Sequence, residues 1–218
     1  TNGKFTGRDL KVVLVGDANV GKTSLVRRYI DRKFQGSVST IGASFLLKQW
    51  GNYNIAIWDT AGAEKYSGLS SFYCRGAAAA VLTFDLTRYK SIETLRQRYI
   101  PLLEVMDQVS VKVVAGTKLD LIGIPSIGQV YLPRQVAPEE GQQLAAEVNT
   151  NQTCRDIIPY FETSSKTGQN VDNVFEFIFE YFFPDRGLRP RCNNKLEDSI
   201  VLKKMSKNSY KHKTVCCM

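Results

Sequence analysis

The stretch Gly16-Asp17-Ala18-Asn19-Val20-Gly21-Lys22-Thr23 follows the apolar run Val12-Val13-Leu14-Val15 and leads into Ser24-Leu25-Val26-Arg27-Arg28-Tyr29-Ile30. The first run reads as a buried strand and the last as a helix, so a glycine loop joins strand to helix. That is the setting of a phosphate-binding loop. Gly16 and Gly21 let the backbone turn and approach phosphate oxygens, while successive N–H groups from Asp17 to Ser24 and the helix N-terminus supply positive potential. Lys22 reaches the β and γ phosphates, and Thr23 is placed to ligate Mg²⁺. The competing reading is a chance match in an ordinary strand-turn-helix, and the downstream motifs remove it.

The chain has 218 residues, 43% hydrophobic and 11% aromatic, which suits one compact domain with a full core rather than two. Its five cysteines, Cys74, Cys154, Cys192, Cys216 and Cys217, form an odd, unevenly spaced set without a C-x-x-C pair. Such usage points to a reducing compartment and away from disulfides or zinc. No run of about 18 apolar residues is present, and Thr1 to Asp9 is polar, without the apolar stretch of a secretory signal. The chain is expected on the cytosolic side of a membrane, and Asn151-Gln152-Thr153, formally a glycosylation sequon, reads as a polar loop.

Charge is concentrated at one end. Arg186 to Met218 holds nine basic residues against two acidic ones, a net of +7 out of +8 for the whole chain. A basic polar tail suits nucleic acid, an anionic membrane or plain solvent. Its ending, Cys216-Cys217-Met218, favours membrane, because a lipidated cysteine beside a basic segment supplies the two signals that stable attachment needs. The spacing is not the usual C-a-a-X box. Nucleic acid ranks far behind, since Tyr210 is the tail's one aromatic residue for stacking.

Strand-length apolar runs alternate with helical periodicities, the pattern of a mostly parallel sheet covered by helices on both faces. Predicted strands are Leu10–Val15, Ser44–Trp50, Asn54–Trp58, Ala79–Asp85, Val111–Gly116 and Tyr160–Thr163. Predicted helices are Lys22–Asp31, Leu69–Arg75, Ser91–Val105, Pro138–Val148 and Val171–Phe183. Gly51-Asn52-Tyr53 joins the second and third strands as a hairpin, giving one antiparallel strand at an edge. Two long loops, Ile122 to Val136 and Asn149 to Ile157, carry no functional reading.

Three further motifs fall at strand ends, where open α/β sheets bind ligands. In Trp58-Asp59-Thr60-Ala61-Gly62, Asp59 can hold Mg²⁺ through water and the Gly62 N–H faces a γ-phosphate. In Thr117-Lys118-Leu119-Asp120, the Asp120 carboxylate can accept from both N1–H and the exocyclic amine of guanine, a donor pair that adenine lacks. GTP is thereby selected over ATP. In Glu162-Thr163-Ser164-Ser165-Lys166, the Ser165 N–H meets the guanine O6.

With these four motifs in order, residues 9 to 184 resemble the small GTPases of the Ras superfamily and, within it, the Rab family. Ile41-Gly42-Ala43-Ser44-Phe45, Ile57-Trp58-Asp59-Thr60-Ala61-Gly62 and Tyr73-Cys74-Arg75-Gly76-Ala77-Ala78 are Rab-like, as is a double-cysteine ending. The resemblance implies an α/β P-loop GTPase domain over residues 9–184, flanked by an N-terminal extension over 1–8 and a hypervariable basic tail over 185–218. It also implies GTP or GDP with Mg²⁺, geranylgeranylation of Cys216 and Cys217, and a monomer that does not bind nucleic acid. Thr40 would be the switch I threonine that ligates Mg²⁺ and senses the γ-phosphate, Phe34 would lie edge-on to the guanine, and Ser164 and Lys166 would help hold the base. Ile41, Phe45, Trp58 and Tyr73 would form the surface that effectors read. The other implied partners are an exchange factor, a GTPase-activating protein and a prenyl-binding chaperone that keeps a cytosolic GDP-bound pool. Lys48-Gln49-Trp50 and a short switch I suggest an endocytic or phagosomal branch, on the cytoplasmic face of an endosomal, phagosomal or Golgi membrane.

Four departures stand out. Ala63 occupies the position of the glutamine that orients the attacking water, so the catalytic set reduces to Lys22, Thr40 and Gly62. Intrinsic hydrolysis in this superfamily is slow even with glutamine, on the order of 10⁻⁴ per second. An activator supplying arginine and glutamine in trans would still accelerate it. Thr117 replaces the asparagine that braces the phosphate loop, which predicts faster nucleotide exchange. Only Gln35 to Ser39 separate Phe34 from Thr40, one residue fewer than usual, and Ala18 occupies a position where bulk can hinder an arginine finger, though small residues there are common among Rabs. The expected function is a prenylated switch that recruits trafficking effectors when GTP-bound, with a GTP-locked membrane scaffold as the alternative.

Overall fold

The first strand, β1 (Asp9–Val15), is apolar on both faces, and its alternation decides the layering. Val12 and Leu14 join one buried cluster while Val13 and Val15 join another, so β1 lies between two helical layers. A computed structural model describes residues 9–36, 39–51, 53–62, 72–104, 111–123, 131–150 and 158–184. After β1 come α1 (Lys22–Asp31), β2 (Ala43–Trp50), β3 (Tyr53–Thr60) and β4 (Ala79–Asp85). They are followed by α2 (Tyr89–Thr94), α3 (Ile100–Glu104), β5 (Val111–Thr117), α4 (Pro138–Val148), β6 (Tyr160–Glu162) and α5 (Val171–Phe182).

The six strands run in the order β2-β3-β1-β4-β5-β6, and all pairs are parallel except β2 with β3. The expected mostly parallel sheet with one antiparallel edge strand is therefore present. One face carries α1 and α5, where Leu25, Val26, Val174 and Ile178 are buried and Tyr29 stacks on Phe175 at 4.2 Å between ring centroids. The other face is covered by α2, α3 and α4 through Ile92, Leu103 and Leu144, and by Leu95 between α2 and α3. Chain order reverses at β1, so the loop after β1 opens at a topological switch point. The parallel registers pair Leu14 with Asp59, Asp85 with Thr117 and Gly116 with Glu162, which gathers the carboxyl ends of the strands along one rim.

The element limits differ from expectation in a few places. Trp50 pairs with Tyr53, so Tyr53 belongs to β3 rather than to the turn, and its ring stacks on Phe183 at 3.7 Å. β3 also runs on to Thr60, because Asp59 and Thr60 continue the ladder opposite Ser44 and Ala43. β6 stops at Glu162, although the Thr163 N–H still donates to the Gly116 carbonyl at 2.6 Å. The helix expected from Ser91 begins at Tyr89 and widens into a π-helical turn over Leu95–Tyr99 before continuing as α3. That widening accommodates both Leu95 and Tyr99 in the buried layer. Of the helix expected over Leu69–Arg75, Phe72 to Cys74 are helical and Arg75 lies in a turn, while 69–71 fall outside the described residues. The extension 1–8, residues 124–130 and 151–157 of the two long loops, and the tail from 185 onward lie outside them too. Among the described residues, no helix is long and apolar enough to cross a membrane.

Candidate nucleotide-binding site

The glycine loop leaves β1 at Gly16, where φ is +149° and a Cβ would stand 2.2 Å from the Thr83 carbonyl oxygen. Only glycine fits there. The loop then feeds α1, whose first residue, Lys22, is 5% exposed. Its Nζ donates to the carbonyls of Gly16 at 2.8 Å and Asp17 at 2.7 Å, so the ammonium lies inside the curve of its own loop. Burial pushes its pKa down to about 8, against the opposing pull of Asp59 and Asp17.

Beside it, the Thr23 hydroxyl donates to Asp59 Oδ2 at 2.6 Å and lies 2.9 Å from the Thr40 hydroxyl. Asp59 is 1% exposed, and burial raises its pKa while Thr23 and Lys22 pull it down. Its Oδ1 has no hydrogen-bond partner among the described residues. A buried carboxylate oxygen without a partner is costly unless a cation or water satisfies it. Two hydroxyls and a carboxylate are hard oxygen donors of the kind that Mg²⁺ takes. Among the described residues no three histidine, cysteine or acidic side chains are placed to hold a metal ion together, so a cation here would draw its remaining ligands from phosphate and water. Gly62 closes this end: a Cβ on it would lie 2.3 Å from the carbonyl carbon of Asp17. The segment that follows β3 thus lies directly on the glycine loop.

From the loop a cavity of about 400 Å³ extends past Asn19, Gly21 and Ser24, under Phe34, to Thr117, Lys118, Asp120, Ser165 and Lys166. The Ser164 hydroxyl donates to Asp120 Oδ1 at 2.6 Å. Lys118 has a left-handed backbone (φ 62°) and pairs its ammonium with Asp85 Oδ2 at 2.7 Å. Thr117 is buried, and its hydroxyl reaches the carbonyls of Val20 at 2.5 Å and Phe84 at 2.8 Å. The departure from asparagine therefore leaves a contact to the loop in place, carried by a hydroxyl that can donate to one carbonyl at a time.

The comparisons with known proteins agree with this arrangement. The Ras family profile matches residues 11–182. Ras-related protein Rab-20 of Mus musculus is 40% identical over 204 residues, covering 81% of this chain and 85% of its own. Ras-related protein Rab7 of Prunus armeniaca is 36% identical over 202 residues, 88% and 86% respectively. Ras-related protein Rab-31 of Rattus norvegicus is 37% identical over 176 residues, 78% and 82%. The chain belongs to the Ras family and is a Rab small GTPase.

For a Rab GTPase, membership implies guanine nucleotide with Mg²⁺, GTP hydrolysis, and regulators and effectors in membrane trafficking. The residues present fit those groups: hard oxygens with an unsatisfied carboxylate at one end, and a cavity ending on a carboxylate at the other. On the sheet surface of this GTPase, Trp58 lies between Phe45 at 5.1 Å and Tyr73 at 5.8 Å, with Ile41 80% exposed nearby in the chain. Ala63, Cys216 and Cys217 lie outside the described residues.

Two arginines support the site without having stood out in the sequence. Arg134 forms a two-pronged pair with Glu162, both contacts at 2.7 Å, and Tyr160 donates to the same carboxylate at 2.8 Å. This ties down the turn that carries Ser164 and Ser165. Arg88 crosses to the phosphate loop and is treated below. No sequence signal marks either one, because a lone arginine in a loop has no period and no motif.

Proposed function

We propose that this Rab GTPase holds GTP and GDP in the groove between the glycine loop and Lys118–Asp120, within a nucleotide-binding domain over residues 9–184. Lys22, Thr23, Thr40, Asp59 and Gly62 serve phosphate and Mg²⁺, and Lys118, Asp120, Ser164, Ser165 and Lys166 serve the base. The observation that carries this reading is the buried Asp59 carboxylate, with one oxygen on the Thr23 hydroxyl and the other without a partner among the described residues. When bound, Mg²⁺ would neutralise charge on the phosphates. Lys22 exchanges neutral carbonyl acceptors for charged oxygens, and the Gly62 N–H stands at the distal end of the phosphates.

Hydrolysis by the chain alone is slow, because the Ala63 methyl group can neither donate to a water nor accept from it. The basic tail over 185–218, lipidated at Cys216 and Cys217, attaches the domain to the cytoplasmic face of an endosomal, phagosomal or Golgi membrane. There the GTP form recruits effectors through Ile41, Phe45, Trp58 and Tyr73, and a prenyl-binding chaperone returns the GDP form to the cytosol. Ala63 favours a second reading, a scaffold that stays GTP-loaded until a partner supplies the missing group. Single-turnover hydrolysis of preloaded GTP, without an activator, separates slow from ordinary chemistry. Ala63→Gln is expected to hydrolyse GTP about 10-fold faster than the natural chain, less than the roughly 100-fold or more of a full general base because an amide orients the water without taking its proton. Equal rates would overturn the slow-hydrolysis reading.

A further inference from the structure

Arg88 stands in the turn between β4 and α2, outside every motif assigned to the nucleotide. Its backbone is anchored, since its N–H donates to the Asp85 carbonyl at 3.0 Å and its own carbonyl accepts from the Ser91 hydroxyl at 2.7 Å. From there the side chain reaches the phosphate loop. Nη2 donates to the Ala18 carbonyl at 2.8 Å and lies 3.2 Å from Asp17 Oδ2. Asp17 Oδ1 in turn accepts from the Ala18 N–H at 2.7 Å. One guanidinium and one carboxylate thus hold both sides of Ala18.

A trans peptide sets its C=O and N–H on opposite edges. Gripping the Ala18 carbonyl therefore turns the N–H of Asn19 away from Arg88, and Asn19, held at a left-handed φ of 60°, lines the nucleotide cavity. A cationic donor on the carbonyl also polarises the peptide, which strengthens its N–H as a donor to anions. Lys22, the residue that reaches β and γ phosphates, lies on the adjacent Gly16 and Asp17 carbonyls, so the segment that Arg88 holds borders the distal phosphates.

We propose that Arg88 is a positioning residue that aims the Asn19 N–H at the phosphates beyond the first and so sets the preference for nucleoside di- and triphosphates over monophosphates. The inference rests on the groove being the guanine-nucleotide site. Its test is competition of GDP and GMP against fluorescent GDP on the full nucleotide-free chain, with the thermal midpoint of that chain measured alongside. Arg88→Met is expected to weaken GDP about 10-fold, the scale of one charge-assisted hydrogen bond. GMP affinity and the midpoint should stay as in the natural chain. Arg88→Lys, which keeps one cationic donor, should give a smaller loss confined to GDP. Equal losses for GDP and GMP would make Arg88 a general support of the loop and overturn the proposal, as would unchanged GDP affinity. A natural chain that bound no GDP would sink the site reading and this inference together.

Discussion

At the proposed base end of the groove, a hydroxyl and an ion pair tie the recognition groups to other side chains, whereas at the proposed phosphate end the Lys22 ammonium rests on backbone carbonyls. Ser164 holds Asp120, and Asp85 holds Lys118. Lys22 instead lies on the Gly16 and Asp17 carbonyls, while Arg88 holds the Ala18 carbonyl and the Asp17 carboxylate of the same loop. The difference separates two tasks. Tied side chains present a fixed pattern of donors and acceptors, which suits discrimination between bases. An ammonium on neutral acceptors, as at Lys22, moves readily to charged ones, which suits affinity for phosphate.

The comparison breaks most visibly at Lys22. Lys22→Ala should weaken GDP at least 100-fold, or about 3 kcal/mol, the scale of a buried charge-assisted contact. The unliganded chain should not lose stability, because a buried ammonium with a lowered pKa is removed. Titration calorimetry and a melting curve check both halves of that statement. A smaller effect is expected at Thr117, whose hydroxyl joins the two ends through Val20. Thr117→Ala should speed GDP release about 5-fold, equivalent to roughly 1 kcal/mol for one neutral hydrogen bond. Thr117→Asn, with two donors in place of one, should slow release below that of the natural chain in stopped-flow chase experiments.

Much of this was legible in the sequence for identifiable reasons. α1 and α4 have the predicted limits because glycine punctuates the start of one and Pro138 opens the other, with Glu140 accepting from the Ala137 N–H at 2.8 Å. β4 is legible because it is wholly buried and apolar save for Thr83 and Asp85. The structure brings Lys22, Thr23, Thr40 and Asp59 together, though Thr40 and Asp59 lie far along the chain from the loop. Motifs at strand ends made that convergence readable, since parallel strands deliver their carboxyl ends to one rim. The π-helical turn at Leu95–Tyr99 was hidden, because one wide turn barely disturbs a helical apolar period. Tyr53 was misread as a turn residue because its neighbours Gly51 and Asn52 are strong turn formers, while its stacking partner, Phe183, lies 130 positions on. Arg88 and Arg134 act through long side chains across the fold, a relation that spacing does not encode.

The central claim is that Asp120 reads guanine while the cationic loop holds phosphate, and exchanging the carboxylate for an amide tests it most directly. Binding of GDP and of xanthosine diphosphate should be measured for the natural chain and for Asp120→Asn. The natural chain should take GDP alone. Asp120→Asn turns one acceptor into a donor, which suits the xanthine C2 carbonyl, so its preference should invert, with GDP weakened about 100-fold or more. If Asp120→Asn kept its GDP affinity and gained none for the xanthine nucleotide, the base would not be read at Asp120 and the account would fail.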